Sequence, residues 1–275
     1  MLAIDIVLYI LIFCIGTLFG SFFTLAVYRI PLGKDITHER SFCPNCNHKL
    51  SFLDMIPILS YIFLGGKCRY CKQKIRPRYL LLEILSGTVF VLFSMSIRLN
   101  FLELSVSTIA YFICGLLYLA TLFIIAGIDK EKNQIEKKVI LFGYIVETLY
   151  IVYLYIVEHD TNIYRYVIYL IIICILVLLD IGFLRKKAKN SYPVEILLLC
   201  MLMLTFSYEA VTILTIIMTL LIITFQILLE KLFNKNKKSV RGSTGKKEKM
   251  PIGFYMCISN IICLLTTNFY IFYMQ

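Results

Sequence analysis

The chain has 275 residues, 60% of them hydrophobic and only 16% charged, against roughly 45–50% and about 25% in a soluble domain. A mean hydropathy of +0.83 leaves too little polar surface to cover a water-soluble globule, which excludes a soluble enzyme, a disordered tail protein and a secreted disulfide scaffold. The net charge of +11, from 28 Lys and Arg against 17 Asp and Glu, is that of a membrane protein whose cations set its topology, and no nucleic acid is needed to explain it.

A span needs about 20 apolar residues to cross ~30 Å of hydrocarbon. Such windows fall at 6–28, 79–97, 102–128, 139–157, 163–184, 193–208, 210–230 and 251–273. The expected fold is therefore an all-α polytopic membrane protein of about eight transmembrane helices. Ser207, Tyr208 and Glu209 supply the polar break between the sixth and seventh. The first run is preceded only by Asp5 and has no basic flank, so it reads as a span rather than a cleavable signal. Its first cation, Arg29, lies beyond it, which predicts an N-terminus outside the cytosol.

Threading eight spans from there makes segments 29–78, 129–138, 185–192 and 231–250 cytosolic. These hold all of the 28 cations except Arg98 and Arg165. One missed or invented helix would invert everything after it and destroy that segregation. Segment 231–250 is polar and basic, is expected not to fold by itself, and reads as a topogenic loop lying on anionic lipid. No internal repeat is evident.

Six of the ten cysteines lie singly inside apolar spans, where Cys behaves as a small hydrophobe. The other four form Cys43-Pro-Asn-Cys46 and Cys68-Arg-Tyr-Cys71, separated by 21 residues in the one long cytosolic loop. Disulfides do not persist in that compartment. Two CxxC pairs at this spacing suit a tetrahedral thiolate site, with Zn²⁺ as the expected ion. Four thiolates leave no open coordination position, so the metal would be structural. A redox CxxC is the alternative, but it would not need two pairs.

Around these cysteines the chain resembles the type IV prepilin peptidases. The resemblance rests on Gly16-Thr-Leu-Phe-Gly20-Ser-Phe-Phe and Tyr28-Arg-Ile-Pro31, followed by Ser41-Phe-Cys-Pro-Asn-Cys46 and Leu53-Asp-Met-Ile-Pro57-Ile-Leu-Ser-Tyr61. It continues through Gly66-Lys-Cys-Arg-Tyr-Cys71 and Arg76-Pro-Arg-Tyr79 with Glu83, and Met250-Pro-Ile-Gly-Phe254 resembles the family's entry to the last helix. It implies a bacterial inner-membrane enzyme that cleaves the basic leader of prepilin- or pseudopilin-like substrates. The same enzyme then methylates the new N-terminus with S-adenosylmethionine. It also implies a methyltransferase-like region over 1–100, with Gly66 and Lys67 contributing to the donor site, and a membrane aspartic peptidase-like region over 101–275.

Peptidases of this kind activate water between two aspartates, one protonated and one ionised, because like charges a few Å apart split their pKa values. Asp129, ending the third span in Ile125-Ala-Gly-Ile-Asp129, stands where the family has its first aspartate. The family's second lies in a Gly-x-Gly-Asp motif, and no Gly-x-Gly occurs in this chain. Tyr192-Pro-Val-Glu195 takes its place, and Glu195, 66 residues after Asp129, is the carboxylate expected at the right depth. Glu195 reads equally as a helix N-terminal acid behind Pro193. Asp180, deep in the fifth span, is a fallback partner, and Glu83 and Glu147 are further intramembrane acids. A non-proteolytic relative that binds or assembles pilins is the alternative, and a transporter is disfavoured by the large cysteine loop.

Overall fold

The computed structural model describes residues 3–36, 38, 40–100, 104–157, 159, 163–180, 192–237 and 250–274. The end of the fifth expected span (181–184) and most of two basic segments (185–191 and 238–249) lie outside the described residues. The long helices are α1 (Ala3–Arg29), α3 (Arg78–Ser96), α4 (Val106–Lys132), α5 (Lys137–Val157), α6 (Ile163–Leu179), α7 (Tyr192–Phe206), α8 (Glu209–Lys237) and α9 (Ile252–Met274). A short α2 (Leu59–Phe63) lies in the loop between α1 and α3. Among the described residues there are no strands, only two isolated bridges in that loop.

Every expected window contains one of the eight long helices. Six of them are long and apolar enough to cross a membrane, whereas α6 and α7 are shorter. The 15 residues of α7 extend only about 22 Å at 1.5 Å per residue, less than the ~30 Å of a hydrocarbon core. At the other extreme, α8 runs on to Lys237, so the basic segment at 231–250 begins as helix. Glu230, Lys231 and Leu232 are all strong helix formers.

The chain divides into two compact units, Met1–Gly127 with Asn268–Gln275, and Ile128–Thr267. In the first, α1 packs along α3 through small residues. A Cβ on Gly16 would come 2.7 Å from the Gly87 Cα, and one on Gly20 would come 2.7 Å from the Glu83 Cα. The Ser86 hydroxyl donates to the Gly16 carbonyl at 2.7 Å. Small residues four apart allow such backbone approach and substitute contact and hydrogen bonding for the hydrophobic drive that lipid does not provide. Phe23 stacks on Phe123 at 5.6 Å, beside fully buried Phe90 and Phe93. Arg98, one of the two cations outside the basic segments, lies 4.3 Å above the Tyr273 ring.

In the second unit α7 is central, touching α5, α6 and α8. The Tyr144 hydroxyl donates to the Leu198 carbonyl at 2.7 Å, and Thr205 donates to the buried Glu147 carboxylate. Asn260 on α9 donates to Thr215 on α8 at 3.1 Å. These polar pairs join helices whose apolar faces alone would not fix a register.

Candidate functional site

The cysteine loop is built from two copies of one small hairpin. In the first, the Cys43 N–H donates to the His48 carbonyl at 3.0 Å and the Asn47 N–H to the Cys43 carbonyl at 2.8 Å. In the second, the Cys68 N–H donates to the Gln73 carbonyl at 2.9 Å and the Lys72 N–H to the Cys68 carbonyl at 3.0 Å. Bridges Phe42–Lys49 and Lys67–Lys74 close the two. Asn47 and Lys72, each following the second cysteine of its pair, take φ of 55° and 59°. That left-handed turn lets both thiols of a pair face one point. The repeat is legible as Cys-x-x-Cys-x-x-Lys in both halves, a signal that a search for longer periods passes over.

The four sulfurs lie within 4.8 Å of one another, and Cys43 and Cys71 Sγ are 3.8 Å apart. A tetrahedron with zinc–sulfur bonds of about 2.3 Å has sulfurs ~3.8 Å apart, so the donor set fits zinc in both chemistry and size. The thiols differ in acidity. The Gln73 N–H, then the Asn45 amide, lower the Cys71 thiol to about 6. Cys46, against a lowering contact from the His48 N–H, is pushed up to about 11 by desolvation and by the neighbouring thiols. Four adjacent thiolates repel, and a divalent cation removes that conflict as the protons leave.

Beside the cluster, Arg69 Nε donates to Asp54 Oδ1 at 2.6 Å, and the Ser51 hydroxyl donates to Asp54 Oδ2 at 2.7 Å. Burial works to raise the Asp54 carboxyl, but the Ser51 and Arg69 hydrogen bonds outweigh it and hold it below the usual range. Glu83, on α3, accepts the Ile58 N–H at 2.7 Å. His48 stacks on Tyr70 with ring centroids 3.6 Å apart.

Gly66 and Lys67 line an open cleft of ≈ 340 Å³ with Tyr61, Gly65, Lys74 and Arg76. Its charge matches one end of S-adenosylmethionine, the methyl donor that the resemblance implies. The three cations suit the donor's carboxylate, but no acid among the lining residues faces its ammonium and sulfonium.

Asp129, at the end of α4, is fully buried. The Tyr192 hydroxyl donates to both of its oxygens, at 2.9 and 3.0 Å, and the Phe254 N–H donates to Oδ2 at 2.9 Å. The same tyrosine oxygen accepts the Ile252 N–H at 3.0 Å. Asp129 and Tyr192 thus satisfy the open N–H groups at the start of α9, where the helix dipole favours an anion. Gly253 leaves room there: a Cβ would stand 3.0 Å from Ile135 Cδ1 and 3.1 Å from Asp129 Oδ2, so those side chains would have to give by a few tenths of an ångström.

Glu195 is half-buried one turn along α7 from Tyr192. Its neighbours are the Ile135 N–H, Lys137, Asp180 and Glu136. Asp180 follows the last residue of α6 and pairs with Lys137 at the start of α5. Asp180, which the sequence places in the fifth span, belongs to the acid and lysine group around Glu195. Among the described residues no hydrogen bond joins Asp129 to Glu195. Of the Tyr192–Glu195 replacement, it is Tyr192 that touches Asp129. Sequence reasoning missed this residue because it sought a carboxylate.

The fold and these sites define a multi-pass helical membrane protein with a four-cysteine loop between its first two spanning helices. Residues 14–97 match the Bacterial Peptidase A24 N-terminal domain. The chain is 36% identical over 126 residues to a prepilin leader peptidase/N-methyltransferase of Klebsiella pneumoniae, covering 44% of this chain and 51% of that one. It is 40% identical over 81 residues to the Myxococcus xanthus protein of the same name (30% and 24% covered), and 30% identical over 132 residues to that of Bacillus subtilis (48% and 50%). The matches thus span about half the length, or less, of these curated relatives. No solved structure matches the chain.

Proposed function

We propose that this chain is a membrane-embedded prepilin leader peptidase that cleaves the basic leader of a type IV prepilin- or pseudopilin-like protein at the cytosolic membrane face. It then methylates the new N-terminus, with S-adenosylmethionine as donor. The observation that carries the reading is the family match over residues 14–97, followed by a buried aspartate at the end of the next helix, α4. In this reading Asp129 and Glu195 activate the hydrolytic water, the ionised carboxylate taking its proton as it attacks the scissile carbonyl. The Tyr192 hydroxyl bridges both Asp129 oxygens, so the water reaches Asp129 only by displacing that contact as substrate enters. Zinc would be held by Cys43, Cys46, Cys68 and Cys71, where it supplies a crosslink to a loop too small for a core of its own.

The Tyr192 bridge also favours a second reading, a non-proteolytic relative in which Asp129 serves only to cap α9 and the chain binds or assembles pilins. Purified protein in detergent, mixed with a cognate prepilin, separates the two. The peptidase reading predicts leader removal by the wild type and its loss in both Asp129→Asn and Glu195→Gln. An intact leader with folded wild-type protein supports the second reading. Cleavage that survives Glu195→Gln but not Asp129→Asn removes Glu195 from the mechanism.

A further inference from the structure

The segment between the first cysteine hairpin and the second carries an apolar ridge that no described residue covers. Phe52 is 79% exposed, Leu53 63%, Ile62 60% and Phe63 82%. The backbone that carries them is pinned at several points. Asp54, between them, is fastened to Arg69 and Ser51. The Gly66 N–H closes on the Tyr61 carbonyl at 2.9 Å, and Glu83 fixes Ile58. Ile58 has φ +62° and ψ −56°, a backbone state that a β-branched residue adopts only when its surroundings impose it. The Glu83 carboxylate accepts the N–H of this residue, so the turn into α2 is anchored to α3.

The anchor also gives the depth. Glu83 lies five residues inside α3, a helix long and apolar enough to span, so it sits about 7.5 Å along the helix from its first residue. The loop that carries the ridge is tied to that level of α3 by the Glu83–Ile58 hydrogen bond, close to the first residue of a helix able to span. Next to it opens the cleft of Gly65, Gly66, Lys67, Lys74 and Arg76, with three cations and no acid among its lining residues. Exposed apolar side chains near the end of a spanning helix, beside a cationic cleft, are the two halves of an anionic phospholipid site.

We infer that the cysteine loop is a lipid-docking module: Phe52, Leu53, Ile62 and Phe63 enter the acyl boundary, and Lys67, Lys74 and Arg76 hold the phosphate of an anionic phospholipid. The inference does not depend on leader cleavage.

The chain contains no tryptophan, so Phe63→Trp and, separately, Phe52→Trp each give a single reporter in the full-length protein. The variants are reconstituted in nanodiscs containing acyl-brominated phosphatidylglycerol or acyl-brominated phosphatidylcholine at equal mole fraction. The expected result is quenching by both lipids, about twofold or more stronger with phosphatidylglycerol, and loss of that preference in Lys67→Gln/Lys74→Gln/Arg76→Gln. Lys74→Gln alone gives an intermediate preference and stands in if the triple variant fails to fold. Unquenched, blue-shifted emission would mean that a second copy or another protein covers the ridge, and unquenched, red-shifted emission would mean that water does. Either overturns the inference, as does equal quenching by the two lipids or a preference that survives the charge removal.

Discussion

At the residue scale the chemistry concentrates in two places, the four thiols and the Asp129 carboxylate. The Asp129 carboxylate accepts from one hydroxyl and one backbone N–H. Asp129→Ala therefore leaves buried donors unpaired, at about 1–3 kcal/mol, while Asp129→Asn keeps an acceptor oxygen. Thermal unfolding in detergent should show Asp129→Ala clearly below wild type and Asp129→Asn between them, with both inactive if Asp129 is catalytic. For the loop, Cys43→Ser should lower bound zinc to well under half an equivalent and open the loop to protease, with the helices intact; full zinc occupancy would contradict a four-thiolate site. The thiol site was legible in the sequence because its chemistry is local, two pairs 21 residues apart. The Asp129 environment was not. Tyr192 is 63 residues and Phe254 125 residues from Asp129, and a tyrosine carries no carboxylate signal. The available clue was Pro251 opening a helix, whose free N–H groups need acceptors nearby.

At the element scale the α1–α3 pair is specified by what it lacks. Gly16→Leu would drive a side chain into the Gly87 backbone, where nothing can yield. The expected cost is about 3 kcal/mol, the upper end for overpacking, read as lowered thermal stability or loss of the folded peak in size exclusion. Wild-type stability would contradict the packing described. Each apolar window overlaps a long helix among the described residues; six of these are long and apolar enough to cross, and the described stretches of α6 and α7 are shorter. The α2 segment escaped attention: five residues make no periodic signal, and the turn at Ile58 depends on Glu83, 25 residues on.

At the scale of the whole molecule, the segregated cations carry the topology. Six spans and eight spans leave both termini on the same side, but they disagree at the basic segment between α6 and α7. A reporter fused after Lys189 separates them. Eight spans predict fluorescent green fluorescent protein and inactive alkaline phosphatase at that point. The reverse pattern would mean that α6 and α7 do not cross. Eight spans would put every basic segment and the cysteine loop in the cytosol.

The most direct test of the central claim is the mass of a pilin N-terminus recovered after co-expression with this chain in a host lacking its own leader peptidase. The account predicts a mature N-terminus bearing one methyl group, and an intact leader with Asp129→Asn. An intact leader with the folded wild-type protein, or a matured pilin with Asp129→Asn, would contradict it.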